Sequence, residues 1–476
     1  MNTLTFDPPS TSSWGDLLRG RNGLLALALT GGVALHAVNV HIVTTVLPSV
    51  VRDIGGLDWY AWNTTLFVVA SIVGAALSVR LLAAWGPRGA AGAALGVFAL
   101  GSAACALAGS MPGMLAGRSV QGLGGGTLAA LSYALIRVVF APPLWPRAVA
   151  LVSGMWGVAT LCGPAVGGLF AQAGHWRLAF WALLPACALQ GLLVAVQLRP
   201  ARLAASPAGA APRIPVQQIV LLAASVLVVA AGSLSDRLAL QAAAVVAGLA
   251  LGAAALRRDR RAAVRLLPRG AAGLGTPLGA VYASVALLLV GTTTEIFVPY
   301  FLQTLHGHTP LAAGYLTAAM AGGWSAGSLL SSGCTGAAAE RLLRTGPLLC
   351  VAGLLALALL VPAGALLAPE ARTLLCALAL AGTGAGVGVG WPHLLTRVLT
   401  LAPPGEEGMA STAITTVQLY GMAVGAAVAG LVANAAGLTH PGGTAGAQAA
   451  AAWLFGSFAL APALAALLAR RALRGR

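Results

Sequence analysis

The chain has 476 residues, of which 58% are hydrophobic and 8% charged, and a formal net charge of +16. So little charge cannot clothe a water-exposed surface of this size, which excludes a soluble globular protein. Lipid in turn excludes open sheets, whose peptide groups it cannot satisfy, and the apolar runs lack the alternation of barrel strands.

Apolar runs of about 20 residues, each long enough to cross a hydrocarbon core roughly 30 Å thick, recur from Leu24 to Ala469. In chain order, spans are expected near 22–49, 60–82, 89–109, 113–139, 147–172 and 178–198, a first bundle of six. A Pro/Ala/Arg connection, 199–215, leads to a close pair near 216–234 and 237–256 that turns around at Ser233 to Arg237. Six more follow near 276–303, 311–333, 346–367, 372–399, 408–433 and 448–469. The expected fold is all-α integral membrane, two six-helix bundles plus an inserted helical pair, about fourteen spans in all. Its divisions are a cytoplasmic segment 1–21, bundles 22–198 and 276–469, a linker 199–275 and a basic tail 470–476.

Arginines gather in alternate connections: Arg80 and Arg88, Arg137 and Arg147, Arg199, Arg202 and Arg213, Arg257 to Arg269, Arg341 and Arg344, Arg470 to Arg476. The intervening connections hold only Arg52, Arg177, Arg237 and Arg372, so the positive-inside rule puts both termini in the cytoplasm. The positive charge is thereby used by topology, and no basic domain remains for nucleic acid. The start carries Asp7, Asp16 and Pro8-Pro9, unlike a cleaved signal peptide, so the first span is expected to be retained. Cysteines 105, 162, 187, 334, 350 and 376 fall within or at the ends of apolar runs, without metal-site spacing, and are read as core thiols. No cofactor or metal is implied. The 62 glycines suit membrane helices, with Gly124, Gly125, Gly126 and Gly384, Gly386, Gly388 expected at close approaches.

In the fourth span, Arg118 and Gln121 share a face beside small residues. A charge within a span ordinarily meets a partner or a wet cavity, the alternative being a side chain that snorkels to the interface. In the fifth span Gly154, Gly157, Gly163-Pro164 and Gly167-Gly168 would bend the helix and leave a smooth packing face.

These strings resemble the major facilitator superfamily, and within it the fourteen-spanning drug:proton antiporter family. Arg118-Ser119-Val120-Gln121-Gly122 looks like the family's fourth-span motif, and Gly163-Pro164-Ala165-Val166-Gly167-Gly168 like its antiporter signature. Ile42-Val43 with Leu47-Pro48 is similar to the end of the first-span motif. Trp176-Arg177, Phe180 and Pro185 match the entry into span six. Tyr300-Phe301-Leu302-Gln303, Gly307, Pro310 and Ala313-Gly314 look like the loop after the inserted pair. The chain departs from the pattern at Asn39, where the family has an aspartate, and at Ala83, where it tends to have an acid. An amide does not titrate, so the proton coupling implied by the resemblance does not carry over to Asn39.

Glu295 is the one acidic residue well inside an apolar run. Thr292, Glu295, Pro299 and Gln303 recur at three and four residues, as a polar stripe on one helix would. Glu295 is therefore a proton-coupling candidate, against the alternative of a structural hydrogen bond. His36 and His41 are the others, since imidazole titrates near neutrality. About 140° of helix separates them, leaving His36 on the side of Asn39 and His41 on that of Thr44, Thr45 and Pro48. Trp62, Trp156, Phe297, Tyr300 and Trp391 offer flat surface to a lipophilic or cationic substrate, or else anchor at the interface. The candidate cavity set is Asn39, Arg118, Gln121, Trp156, Thr292, Tyr300 and Gln303, with Gly157, Gly163, Pro164, Gly167 and Gly168 on the antiporter-motif helix.

The expected function is a monomeric, proton-coupled exporter of a lipophilic or cationic small molecule, multidrug-efflux-like and working by alternating access in a plasma membrane, its partners being lipid, substrate and protons. The alternative on the same fold is a uniporter or importer, favoured by the missing aspartate at Asn39, or a lipid or metabolite exporter without proton antiport. A membrane-embedded lipid enzyme is disfavoured because no Asp-rich metal site or nucleophile constellation is present in the sequence.

The six arginines from Arg257 to Arg269 should be cytoplasmic. An impermeant maleimide should leave an Ala263→Cys variant unlabelled in intact cells and label it after lysis. Labelling from outside would invert every span.

Overall fold

The computed structural model describes residues 14–198, 213–363 and 368–473. Expectations for 1–13, 199–212, 364–367 and 474–476, including part of the linker and of both terminal segments, lie outside the described residues.

The described residues form helices and connections without strands. In order they are α1 (Trp14–Leu18), α2 (Gly20–Ile54), α3 (Trp62–Ala106), α4 (Met111–Val139), α5 (Trp145–Gln172), α6 (Arg177–Trp181) and α7 (Leu183–Gln197). Next come α8 (Val216–Gly232), α9 (Leu238–Arg261), α10 (Pro277–Thr292), α11 (Val298–His306) and α12 (Pro310–Ser331). The last are α13 (Gly336–Leu360), α14 (Pro369–Gly388), α15 (Trp391–Thr400), α16 (Glu407–Ala435), α17 (Gly443–Phe458) and α18 (Leu460–Ala472). Ten helical stretches are long and apolar enough to cross a membrane. Leucines such as Leu100, Leu189, Leu330 and Leu359, each more than 60% exposed, give the outer surface the character lipid requires.

Local chemistry explains the ends and breaks. Ser110, Thr276 and Thr309 each accept a backbone N–H from three residues on and precede a proline in the first turn, so α4, α10 and α12 start there. Several expected continuous spans are corrected to broken ones. The breaks at Ala182, Val389 and Ala459 each fall three residues before a proline: Pro185, Pro392 and Pro462. The 3-10 segment Thr293–Phe297 lies just before Pro299. A proline ring removes one backbone hydrogen bond and collides with the carbonyl four residues back, which loosens the turn before it. Pro48, Pro164 and Pro347 sit inside unbroken helices. The chain turns back within α3 at Gly86, whose φ of 66° suits glycine.

Helix α13 is corrected at its start, ten residues before the expected span. Arg341 and Arg344, read as loop residues, lie in its first turns, with Glu340 and Arg344 spaced as an i,i+4 pair.

Glycine sets the closest packing. Helix α4 lies between the two arms of α3: Gly122 and Gly126 meet the backbone of Phe67 and Ser71, while Gly117 and Gly124 meet that of Cys105 and Phe98. Helix α14 repeats the device, with Gly384 and Gly388 against Met320 and Trp324 of α12 and Gly386 against Cys350 of α13. The expected close approaches at these two glycine strings are thus present, except that Gly125 faces the His36 side chain. Helix α8 packs on α9, α3 and α16, where Val226 and Val229 join Phe67, Val68 and Ala427. Cys105, Cys187, Cys350 and Cys376 are buried, but Cys162 is exposed and Cys334 half-buried, so two of the six are not core thiols.

The stretch after α9 is a folded strap. Asp259 accepts the N–H groups of Leu266 (2.6 Å) and Leu267 (3.1 Å), and Gln218 donates to the Val264 carbonyl. Glu406 accepts the Arg269 N–H at 2.7 Å and the Arg265 guanidinium at 2.8 Å. These contacts, the Arg269 N–H first, hold the Glu406 carboxyl below the usual carboxylate range. A group held below its unfolded value stabilises above that value and loses its contribution as pH falls through the folded one. The Arg269 amide should therefore resist hydrogen exchange at neutral pH and lose that protection below about pH 4.3, after correction for intrinsic rates. Glu406→Gln should exchange faster at neutral pH and show no such step. Equal protection in the two proteins at neutral pH would refute the strap.

Candidate functional site

Three helices meet at a seam built on the Gly163 to Gly168 string. A methyl at Gly163 would strike the His41 side chain and lie 3.2 Å from the Val38 carbonyl. One at Gly167 would lie 2.9 Å from the Ile42 carbonyl, and one at Gly168 2.7 Å from Leu311 Cα on α12. From the other side, Gly314 would meet Thr45 at 2.8 Å and Pro164 at 3.1 Å, and the Tyr315 hydroxyl donates to the Leu161 carbonyl at 3.4 Å. So α2, α5 and α12 touch here almost backbone to backbone.

Away from the seam, α5 and α12 part. Gly157 precedes Gly168 by eleven residues and Gly322 follows Leu311 by eleven, which is three turns on the same face, about 16 Å along each helix. Beyond the adjoining backbone of its own helix, no described residue comes within 4 Å of a methyl placed at Gly154, Gly157 or Gly322. The expectation that Gly157 packs with the rest of its motif is corrected: it borders open space. On this open side a cavity of about 330 Å³ lies between α2 and α5, lined by Leu24, Leu27, Thr30, Leu151 and Met155 among others.

The opposite end is sealed. Tyr60, at the head of α3, is buried against Phe297 (ring centroids 4.9 Å apart, stacked) and Tyr300 (5.6 Å). Phe297 continues through Phe301 to Phe455. Arg52 donates to Ser49 and, at 3.5 Å, to Gln303. Asn434 donates to the Asp58 carbonyl, and Asp53 accepts from Arg177 at 2.5 Å and Trp176 at 3.0 Å.

Between seal and open side lies a buried polar cluster. His36 and Asn39, 4% and 0% exposed, are one turn apart on α2. The His36 ring stacks on Phe67 (5.2 Å) and stands edge-on to Trp156 (6.0 Å). His36 Nδ1 and both amide atoms of Asn39 have no hydrogen-bond partner among the described residues. On the same phenyl ring, at 4.0 Å, sits the Arg118 guanidinium. Arg118, 2% exposed, donates to the Asn63 carbonyl at 3.2 Å and to Gln121 Oε1 at 2.5 Å, and Gln121 donates on to Ser102. Among the described residues no carboxylate pairs with it.

The remaining candidates are scattered. Arg118 and Gln121 do not line the cleft as expected but bind the two arms of α3 to α4. His41 belongs to the seam. The polar stripe is corrected: the 3-10 turn breaks its register, and Thr292 turns to its own Leu289 carbonyl. Glu295 is half-buried on that turn, which packs on α16 and α17, and no hydrogen bond or ion pair reaches its carboxyl among the described residues. Tyr300 and Gln303 lie at the seal. Trp62 stands by Trp59, and Trp391 by Trp324. Tyr60, Asn63 and Phe67 escaped sequence reasoning: nothing in their spacing marks them.

The Major Facilitator Superfamily model matches residues 29–426. The chain is 39% identical over 438 residues, 91% of its length and 92% of the relative's, to the probable multidrug-efflux transporter Rv1634 of Mycobacterium tuberculosis. It is 29% identical over 196 residues, 41% of its length and 35% of the relative's, to the MFS-type efflux pump LUC4 of a Fusarium species. Among solved structures it is similar to a POT family transporter bound to 5-aminolevulinic acid (TM-score 0.69, 13% identity, 98% and 99% of the two chains). It is also similar to a D-xylose-proton symporter (TM-score 0.65, 16% identity, 94% and 97%).

The seam predicts a contrast between two glycines of one helix. Gly163→Leu should lower the midpoint of thermal unfolding by about 1–3 °C, as overpacking costs about 1–3 kcal/mol. Gly157→Leu should leave it unchanged to within about a degree, since open space receives the side chain. Equal shifts would show that the seam is not where the close contact lies.

Proposed function

We propose, from the premise that this chain belongs to the major facilitator superfamily, that it is a proton-coupled exporter of lipophilic small molecules working by alternating access. The observation that carries this reading is the contrast along α5 and α12, bare-backbone contact at Gly163 to Gly168 and open space three turns away. Two helices that touch at one end and part at the other rock about the contact, exposing a central cleft to one side at a time. The multidrug-efflux name of the 39% identical relative supports the export direction.

The architecture we infer has about fourteen spans. Ten stretches qualify by length and apolarity, Gly86 folds one of them into two, and α4, α8 and α12 run among them. The spans divide into bundles at 22–198 and 276–469 with α8 and α9 inserted between. The matching use of glycine by α4 and α14 supports that duplication. From the arginine asymmetry we put both termini in the cytoplasm, and we take the membrane to be the plasma membrane. The working unit is taken as a monomer.

For coupling we assign the proton to Glu295, the unpaired carboxyl within a span, with His36 and His41 as the other titratable groups at that depth. A uniporter remains the second reading, favoured by the amide at Asn39.

Glu295→Gln keeps shape and hydrogen-bonding reach but cannot exchange a proton. In inside-out vesicles it should abolish accumulation driven by a pH gradient while leaving substrate binding within about threefold of wild type. Charged and uncharged substrates must both be compared, because loss of binding confined to cations would instead make Glu295 a counter-ion. Undiminished gradient-driven accumulation would overturn its coupling role.

A further inference from the structure

We propose that the cleft selects an uncharged planar aromatic substrate bearing adjacent hydrogen-bond donor and acceptor, as in a carboxamide or lactam, and disfavours organic cations. This deepens the transporter reading and rests on it.

The buried polar atoms carry the proposal. Asn39 is fully buried, yet its Nδ2 donor and Oδ1 acceptor both lack partners among the described residues; Nδ1 of His36, one turn away and turned toward Gly125 of α4, lacks one too. Groups so buried ordinarily find a partner, and an amide lacking both is matched by a ligand edge that offers an acceptor and a donor together. A carboxylate offers acceptors only and leaves Asn39 Oδ1 unpaired, and an ammonium offers donors only and leaves Nδ2 unpaired.

One aromatic surface adjoins this cluster from α5. Trp156 is 37% exposed on the open stretch of α5 between Gly154 and Gly157, and it meets the His36 ring edge-on at 6.0 Å. A planar ring system stacked on Trp156 brings its polar edge to His36 and Asn39.

Charge gives the discrimination. Arg118 and His36 share the Phe67 ring, which puts the guanidinium within roughly 9 Å of the imidazole in a region poor in water. No carboxylate among the described residues pairs with Arg118. A cationic ligand at His36 and Asn39 meets that positive charge uncompensated, whereas a neutral one does not.

Equilibrium dialysis of the full-length protein in lipid nanodiscs at pH 7 tests this with three ligands of one shape. These are 2-naphthamide, 2-acetonaphthone, which keeps the acceptor and lacks the donor, and the 2-naphthylmethylammonium cation. The amide should bind about tenfold or more tighter than the ketone and the cation. Asn39→Leu should remove the amide's advantage over the ketone. Asn39→Asp, which places a carboxylate one turn from His36, should bring the cation's affinity up to or beyond the amide's. Either variant that keeps its thermal transition suffices, and His36→Gln, expected to weaken the amide about fivefold, stands in if neither does. Equal binding of the three ligands, tighter binding of the cation to wild type, binding of none, or an amide preference untouched by every folded variant would overturn the proposal. Binding is read without transport, so an amide-selective protein that moves nothing would refute the exporter reading alone. Gradient-driven efflux without amide preference would refute the substrate class alone.

Discussion

Bare-backbone contact between helices is the constraint on which this molecule depends. Lipid is as apolar as leucine, so burying side chains against one another gains little in a bilayer, and association relies on close fit. Glycines supply that fit on two faces of α4 and two faces of α14. The first set closes the arms of α3 around α4 and so brings Phe67, Arg118 and Gln121 together. The second holds α12 and α13 about α14, and α12 in turn presents Leu311 and Gly314 to α5. Polar cluster and seam alike are positioned by residues that have no side chain of their own.

Much of this was legible in the sequence because hydropathy and helical spacing are local. The spans, the glycine strings and the 140° offset of His36 from His41 were all present in it, and the offset does send the two rings to different neighbours, Phe67 for one and Gly163 for the other. The helix breaks were not read, although Pro185, Pro299, Pro392 and Pro462 were in plain view, because apolar composition continues through a break and other prolines here sit in unbroken helices. Helix α13 was read too short because charge was equated with loop, whereas a helix that projects beyond the apolar layer carries charged turns such as Glu340 to Arg344.

The candidate site was harder, since its neighbours come from distant segments. Arg118 was expected to seek a wet cavity, the usual solution for a charge in lipid. It is instead satisfied by a carbonyl, an amide and a phenyl face, none of which its own helix face reveals beyond Gln121. Gly157 shows the converse: motif membership suggested packing, but the packing partner has diverged by that depth. Neither outcome follows from spacing, because both depend on where a second helix lies.

The bonding at the seal bears on how such an end can open. Tyr60, Phe297 and Tyr300 meet through ring surfaces, and the polar contacts that join the two sides include a long Arg52 to Gln303 bond and the Asn434 amide on the Asp58 carbonyl. The ion pair nearby, Arg177 with Asp53, is exposed, joins residues of the first six expected spans and need not part. Ring faces that separate leave no stranded ion, whereas breaking a buried pair leaves an unpaired charge at a cost of about 3–5 kcal/mol. Arg118 reaches this place as well, because the carbonyl it holds is that of Asn63, three residues beyond Tyr60. The same guanidinium that shares Phe67 with His36 thus fastens the segment that forms the seal, and a ligand that moved Phe67 would act on both through one residue.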